Sequence, residues 1–212
     1  LLAYKNSKKN NKSNTAPGGI AIFSRHNNKN IFTILNRDND DVIWLKLKKE
    51  QLGISQDIFL ATSYLSPSPD NTSTKMSHLN EDVMHFSSKG HVIIHGDLNA
   101  WTGIERDSAQ IDKYDEQFDL IIKESPLDRN SKHKATNKRG MELIDMCISL
   151  DLTILNGRSV GDPFGEFTSI QPKGNSVVDY LITSDTLAKN ISKLKVGEYI
   201  PWLPDHRPIT YD

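Results

Sequence analysis

The spacing of hydrophobic residues changes several times along the chain, and each spacing predicts one kind of element. Short apolar or alternating runs predict strands at residues 18–23, 31–35, 42–48, 58–64, 92–94, 152–155, 167–170, 177–182 and 194–196. Apolar residues three and four positions apart predict helices at 76–86 and 143–148, and a short helix near Leu187. Because strands outnumber helices, the predicted fold class is α+β, with two packed sheets covered by helices.

The segments between these elements are polar. Residues 1–17 are predicted to be a basic loop or tail, because 5–14 is low in complexity; phosphate contact is the alternative. Residues 101–138 are long and irregular, which predicts a functional surface loop region. The runs at 167–170 and 177–182 are predicted to form a hairpin around residues 172–175.

Composition limits the classes of function. The 212 residues, 36% of them hydrophobic, are enough for one core, and a single domain over residues 1–212 is predicted. A net charge of −1 excludes a global positive field, so any contact with nucleic acid must come from local patches. The single cysteine, Cys147, excludes an internal disulfide framework and is predicted to be a buried hydrophobe. The sequence contains neither a membrane-spanning apolar run nor a signal-peptide pattern.

A carboxylate and an amide, Asp97 and Asn99, follow the apolar strand at 92–94. Residues two positions apart in extended backbone point the same way, so the two polar groups are predicted to lie side by side. A carboxylate at the end of a buried strand is costly unless it is paired or binds a metal. Asp97 is therefore predicted to be paired or to bind a metal, with the amide of Asn99 beside it.

Asp179 interrupts the apolar run at 177–182 and needs a partner for the same reason. That partner is either loop backbone or a histidine, whose tautomer and charge the carboxylate would fix. The candidate is His206, in the polar string 204–208. Tyr64 ends the strand at 58–64, where half-buried packing is the alternative to a functional role. The other histidines have no metal-ligand spacing, and there is no phosphate-cradling glycine motif.

Three blocks occur in order near predicted strand ends: GDLNA at 96–100, SVVDY at 176–180 and DHRP at 205–208. Together they resemble the endonuclease/exonuclease/phosphatase superfamily, whose blocks are G-D-[FL]-N, S-x-x-D-[YH] and S-D-H. Residues 18–23, 140–157 and 167–168 resemble one branch of it, the endonuclease domain of non-LTR (LINE-type) retrotransposons. The resemblance extends over almost the whole chain.

The resemblance implies a DNase I-like fold, a four-layered α/β/β/α sandwich of two mainly antiparallel or mixed sheets. It also implies roles for the site residues. Asp97 would handle the proton of the attacking water or of the leaving group, and Asn99 would orient the phosphate. His206, paired with Asp179, would stabilise the phosphorane, while Tyr64 would contact the phosphate.

The implied cofactor is Mg²⁺, with Mn²⁺ as an alternative, held by Asp97 and Asp205. Thr168 and Ser176 match polar positions that line the family's DNA-binding cleft. Local positive charge is expected from the segment 132–139 and from the predicted hairpin. The predicted DNA-binding cations are Lys132, Lys134, Lys138, Arg139 and Lys173.

The chain departs from the family pattern at two places. Pro204 stands where the family usually has a serine before the Asp-His pair. Nothing before Tyr4 matches the family's Asn and Glu blocks. The chain is therefore expected to be N-terminally truncated and to lack the first strand or strands and the principal Mg²⁺ carboxylate.

The expected function is a Mg²⁺-dependent DNA endonuclease that nicks target DNA to prime reverse transcription. Its reverse transcriptase would lie in the same polyprotein, and the chain would act as a monomer, away from membranes, inside the cell and in the nucleus. The alternatives are a catalytically inactive remnant or domesticated binding module of the same fold, and a small-molecule phosphatase. We expect Asp97, Asn99, Asp179 and His206 to converge, with Asp179 within hydrogen-bond reach of His206.

Overall fold

The computed structural model describes residues 1–6, 18–25, 30–67, 72–108, 128–202 and 205–212. Its strands are β1 (Ala3–Asn6), β2 (Gly19–Ile22), β3 (Phe32–Leu35), β4 (Val42–Leu47), β5 (Ile58–Tyr64), β6 (His91–Asp97), β7 (Leu152–Ile154), β8 (Ser169–Gln171), β9 (Gly174–Ser176), β10 (Asp179–Ser184), β11 (Leu194–Val196) and β12 (Ile209–Tyr211). Its helices are α1 (Lys49–Leu52), α2 (Thr72–Ser87), α3 (Lys138–Ser149) and α4 (Asp185–Ala188). Of these helices, none combines the length and the apolar character needed to cross a membrane.

A six-stranded sheet in the order β3-β4-β5-β6-β10-β7 organises the molecule. Its neighbouring strands are antiparallel except for β5 and β6, which run parallel. A parallel pair needs a crossover connection, and α2 lies in the segment that connects β5 to β6. The two parallel strands therefore end at the same edge of the sheet, where Tyr64 and Asp97 are register partners.

The two faces of this sheet are covered differently. Side chains of α2 and α3, among them Leu79 and Leu143, pack on one face against Trp44 and Ile94. Alternate strand residues point to the other face, where the β11–β12 pair and the β1–β2 pair form two further clusters. Within the described residues, these two pairs form the second layer of strands. The predicted α+β class, with helices packed on layered and mainly antiparallel sheets, is confirmed.

Two predictions about local structure are wrong. Residues 177–182 do not pair with 167–170, because their buried apolar side chains place β10 inside the six-stranded sheet, between β6 and β7. The hairpin is instead the shorter β8–β9 pair. Residues 1–17 are not all loop or tail, since Ala3–Asn6 forms β1 and pairs with β2. The rest of that segment, 7–17, lies outside the described residues, as does Pro204.

Candidate active site

Side chains from three neighbouring strands meet at one end of the six-stranded sheet. Asp97, at the end of β6, is the register partner of Tyr64 on β5 and of Asp179 on β10. The sheet therefore places two carboxylates and a phenol side by side. Gly96 makes this arrangement possible, because a Cβ there would lie 2.1 Å from the carbonyl oxygen of Ser63. Its φ of 125° is also one that glycine adopts readily and other residues rarely do.

Asn99 orients the carboxylate of Asp97. Its backbone N–H donates to Asp97 Oδ1 at 2.8 Å, and its side-chain Nδ2 donates to Asp97 Oδ2 at 2.9 Å. The same Nδ2 also donates to the carbonyl of Leu65 at 3.1 Å. Asn99 has a φ of 47°, a left-handed conformation that asparagine tolerates better than most residues. Asn99 is predicted to orient the phosphate, and to do so through Nδ2 it would have to exchange one of these hydrogen bonds for one to the phosphate.

His206 lies next to both carboxylates. Its Nδ1 is 2.8 Å from Asp179 Oδ2, and its Nε2 is 3.9 Å from Asp97 Oδ2. The expected hydrogen bond between Asp179 and His206 is confirmed. Of the two partners considered for the Asp179 carboxylate, loop backbone and a histidine, the structure shows the histidine. The segment that carries His206 is held to the start of β8, because Ile170 N donates to Asp205 O at 2.7 Å and Arg207 N donates to Thr168 O at 2.7 Å.

The environment of the site shifts the pKa values of three of its groups. Burial, and next the charge of Asp179, raise the pKa of Asp97 to about 6. The hydrogen bond to Asp179 is the main cause that raises the pKa of His206 to about 9. Burial, followed by the charge of Asp97, raises the pKa of Tyr64. At neutral pH the site therefore holds a carboxylate that can accept a proton, a histidine cation and a phenol that keeps its proton.

Two predicted DNA contacts are contradicted by burial. Thr168 is 0% exposed, and its hydroxyl accepts hydrogen bonds from the N–H groups of Val178 and Asp179 at 3.0 and 3.1 Å. Arg139 is 3% exposed, and its guanidinium donates to backbone carbonyls. Sequence position alone does not reveal which polar side chains the fold turns inward. Both residues support the site from within and do not line a surface that DNA could reach.

The remaining predicted DNA contacts are exposed or half-buried. Lys132 forms an ion pair with Glu166, which also contacts Arg207, the residue after His206. Lys134 is exposed, and Lys173 is exposed between β8 and β9. Lys138 pairs with Glu142 at 3.8 Å, and Ser176 is half-buried on β9. Their contact with DNA stays a prediction.

Two supporting residues were missed by the sequence interpretation. Asn156, which is 1% exposed, donates from Nδ2 to the carbonyl of Asp179 and accepts from the N–H of Leu181 at 3.0 Å. Arg207 donates from Nε to the carbonyl of Gly197 at 2.6 Å and from Nη1 to the carbonyl of Phe167 at 3.0 Å. Arg207 lies in the string that drew attention to His206. Asn156 had a weaker signal, its position before a glycine at the end of a strand.

The donor atoms around Asp97 suit a hard cation such as Mg²⁺ only in part. The half-buried carboxylate of Asp97 has a raised pKa, so a cation beside it would relieve unfavourable charge. Within the described ranges, however, no group of three or more histidine, cysteine, aspartate or glutamate side chains could hold a metal ion. Mg²⁺ is often held by one or two carboxylates, with water and substrate phosphates completing its coordination. The donor set fits an ion of that kind and not a preassembled metal cage.

Fold and site together define a DNase I-like nuclease. The chain belongs to the endonuclease-reverse transcriptase family, whose model matches residues 58–210. By family, therefore, it is an enzyme of the nuclease class. The comparison with curated proteins gives no match.

Solved structures share this fold at low sequence identity. The endonuclease domain of TRAS1, a telomere-specific non-LTR retrotransposon, has a TM-score of 0.60 and 17% identity, covering 99% of this chain and 76% of its own. The 3′-5′ exonuclease NExo from Neisseria meningitidis has a TM-score of 0.54 and 14% identity, covering 85% of this chain and 69% of its own. The AP endonuclease LMAP from Leishmania major also has a TM-score of 0.54 and 14% identity, covering 83% and 55%. These similarities confirm the DNase I-like fold.

Proposed function

We propose that this chain is a retrotransposon endonuclease domain that nicks target DNA and exposes a 3′-hydroxyl for reverse transcription. The observation that carries the proposal is the placement of His206, bonded to Asp179 and facing Asp97. The family match and the fold shared with the TRAS1 endonuclease domain support it. In this proposal the chain acts as a monomer in the nucleus, and the reverse transcriptase belongs to the same polyprotein.

Asp97 is the group proposed to accept the proton of the attacking water. A general base works best when its pKa lies near the operating pH, and that of Asp97 is raised to about 6. Asn99 holds the carboxylate through two hydrogen bonds, so its direction is fixed before substrate arrives. A base that is already oriented avoids the reorganisation that would otherwise add to the barrier.

His206 and Tyr64 are proposed to bind the charge that develops on phosphorus. Because Nδ1 of His206 is engaged by Asp179, the proton on Nε2 is directed towards the space beside Asp97. A cation and a neutral hydroxyl at this edge would donate to the non-bridging oxygens as their charge increases. Mg²⁺ bound by Asp97 and Asp205 would add charge neutralisation at the phosphate.

Exposed lysines are proposed to hold the DNA backbone. The chain has a net charge of −1, so binding must rely on local charge. Lys134 and Lys173 are exposed, and Lys132 reaches the His206 segment through Glu166 and Arg207. The ion pair with Glu166 offsets part of the charge of Lys132, which leaves Lys134 and Lys173 as the stronger candidates.

A DNA-binding module without catalysis is the second candidate. The observation that favours it is the lack, in the described part of the chain, of three side chains that could hold a metal together. Such a module would keep the fold and the exposed lysines but would not cut. The endonuclease should nick plasmid DNA, whereas the binding module should bind DNA without nicking it.

A supercoiled-plasmid assay with Mg²⁺ tests the proposal. We expect the wild-type protein to convert supercoiled plasmid to the nicked form, and His206→Ala to lose at least about 100-fold of that rate. His78→Ala is the matched control, because His78 is exposed on α2. Equal nicking by wild type and His206→Ala would contradict the proposal. Wild-type binding without nicking would establish the binding module instead.

A further inference from the structure

The geometry points to Arg139 as the positioning residue that holds Asp97 and its loop in place for phosphodiester cleavage. The inference rests on the proposed function, since it concerns the same site. It reverses the prediction that Arg139 contacts DNA. Arg139 lies in the first turn of α3, on a different element from the strands that carry the acidic groups.

The guanidinium of Arg139 joins two segments that follow neighbouring strands. Its Nη1 donates to the carbonyl oxygens of Leu65 at 3.1 Å and Leu98 at 3.3 Å. Its Nη2 donates to the carbonyl oxygen of Ser66 at 3.1 Å. Leu65 and Ser66 follow β5, and Leu98 follows β6. One planar cation thus fixes the distance between the chain segments on which Tyr64 and Asp97 lie.

The same carbonyls belong to the hydrogen bonds that orient Asp97. Leu65 N donates to the carbonyl of Asp97 at 2.8 Å, and Leu65 O accepts from Nδ2 of Asn99 as well as from Arg139. Leu98 lies between Asp97 and Asn99 in the chain. A shift of the Leu65 or Leu98 carbonyl would therefore move the carboxylate of Asp97 or the amide that orients it.

The first turn of α3 also holds the end of this loop. Asn137 caps the helix through Oδ1, which accepts from Gly140 N at 2.7 Å and from Trp101 N at 3.0 Å. Asn137 N donates to Trp101 O at 3.1 Å. A Cβ on Gly140 would lie 1.8 Å from Trp101 O, so the loop approaches the helix too closely for any other residue. Helix and loop are thus joined on both sides of Asn99.

Burial explains why this position needs arginine. Arg139 is 3% exposed, so it cannot neutralise a phosphate without leaving its place. A buried cation is costly unless its donors find acceptors. Three carbonyl oxygens accept from the two Nη atoms of Arg139, while its Nε has no partner among the described residues. Lysine would keep the charge but could not span the three acceptors with a planar fork. Arg139→Lys is therefore expected to fail as a substitute.

Steady-state nicking kinetics of Arg139→Ala and Arg139→Lys provide the test. We expect kcat to fall about 100-fold in both variants, because a displacement of about 1 Å at a catalytic group has an effect of this size. KM for DNA and the salt dependence of binding should stay at wild-type values. Added guanidinium should restore part of the kcat of Arg139→Ala but not of Arg139→Lys. Arg25→Ala is the control, since Arg25 is exposed just after β2.

Amide hydrogen exchange gives a readout that does not depend on activity. In Arg139→Ala the N–H groups of Leu65 and Asn99 should exchange faster, while those of β4 keep their protection. Arg139→Lys keeps the measurement possible if the alanine variant does not fold.

A raised KM with a smaller salt slope would show a DNA contact and overturn the inference. Unchanged kcat and unchanged exchange at Leu65 and Asn99 would overturn it as well. A wild type without nicking activity would remove the proposed function, yet the exchange result would still decide the positioning role.

Discussion

Two histidines, one within β6 and one next to the end of β6, have opposite environments. His206 is bonded to the carboxylate of Asp179, and this bond is the main cause that raises its pKa to about 9. His95 lies within β6, with the hydroxyls of Thr62 and Tyr211 at 2.7 and 3.1 Å from its ring nitrogens, and burial lowers its pKa to about 4. At neutral pH the first is a cation and the second is neutral. The residue type is the same in both, and the partners decide what it can do.

The same contrast separates two basic residues that were both predicted to contact DNA. Lys134 is exposed and available to a phosphate, whereas Arg139 is buried and donates to backbone carbonyls. In the proposed function, His206 and Lys134 belong to the reactive surface that meets DNA, whereas Arg139 is a buried support of the site. A residue that loses its charged or buried environment should therefore also lose its assigned role.

The largest effect is expected when His206 loses its carboxylate. Asp179→Asn should lower kcat for plasmid nicking by about 10³-fold, because the amide neither supports the imidazolium nor fixes its tautomer. The pKa of His206 should fall from about 9 towards its ordinary value, while that of His95 stays unchanged. NMR titration of both rings in the presence of EDTA measures this directly.

Asp145→Asn is the matched control, since it makes the same chemical change on an exposed position of α3. It should leave both the nicking rate and the two titrations as they are in wild type. If the titration of His206 is the same in Asp179→Asn as in wild type, the bond to Asp179 does not set its charge. The contrast between the two histidines would then have another cause.

The two histidines should affect stability in opposite pH windows. An unfolded histidine takes up a proton as pH falls through about 6.5, but folded His95 does not do so until about 4. Its contribution is therefore present above about pH 6.5 and is lost below it, by at most about 3 kcal/mol. Folded His206 keeps its proton to about pH 9, so its contribution is complete below about pH 6.5 and is lost as pH rises towards 9. With part of the side chain in solvent, about 1–2 kcal/mol is expected.

Urea unfolding at about pH 5, 7 and 9 separates the two windows. His95→Asn should reduce the loss of stability between pH 7 and 5, and His206→Asn the loss between pH 7 and 9. Each variant serves as the control for the other, because each should behave as wild type in the opposite window. An equal effect of either variant in both windows would contradict the assignment of a neutral and a charged histidine.

A smaller effect is expected at Thr168, a buried neutral support of the site. Thr168→Val removes the hydroxyl that accepts from the N–H groups of Val178 and Asp179. Leaving buried donors without an acceptor should cost about 1–3 kcal/mol of the free energy of unfolding. Thr168→Ser keeps the hydroxyl and is the control. DNA affinity of the folded Thr168→Val protein should be unchanged, and a specific loss of affinity would restore the predicted role in DNA contact.

Asp97 and Asp179 could be predicted as candidate site residues because each breaks a local rule, and His206 could be predicted as the partner that Asp179 needs. Asp97 follows an apolar strand, and Asp179 interrupts an apolar run, so each required a partner that the structure supplies. The position of residues 177–182 within the six-stranded sheet could not be predicted in the same way. Their apolar run fits a hairpin strand as well as a central one, and only packing against β6 and β7 decides between them.

The roles of the buried polar residues could not be predicted for a similar reason. Thr168 was predicted from the family resemblance and Arg139 from the positive charge of residues 132–139. Nothing local in either place distinguishes a side chain that faces DNA from one that faces inward. Whether a polar side chain is buried depends on which helix or strand packs over it in the folded protein. The guanidinium of Arg139 donates to the carbonyls of residues 65, 66 and 98, which are far from it in the sequence.

The smallest expected effect concerns Lys134, the exposed counterpart of Arg139. If Lys134 contacts one phosphate, Lys134→Ala should weaken DNA binding at all sequences and reduce the slope of log K against log salt by about 1. The kcat for nicking at saturating DNA should stay at the wild-type value, because none of the hydrogen bonds described for Asp97, Asn99 and His206 involves Lys134. Lys189→Ala, an exposed lysine that follows α4, is the charge-matched control. Titrations by fluorescence anisotropy at several salt concentrations measure the slopes. A smaller slope in Arg139→Ala with no change in Lys134→Ala would reverse the assignment of the two residues, and with it the distinction between reactive surface and buried support.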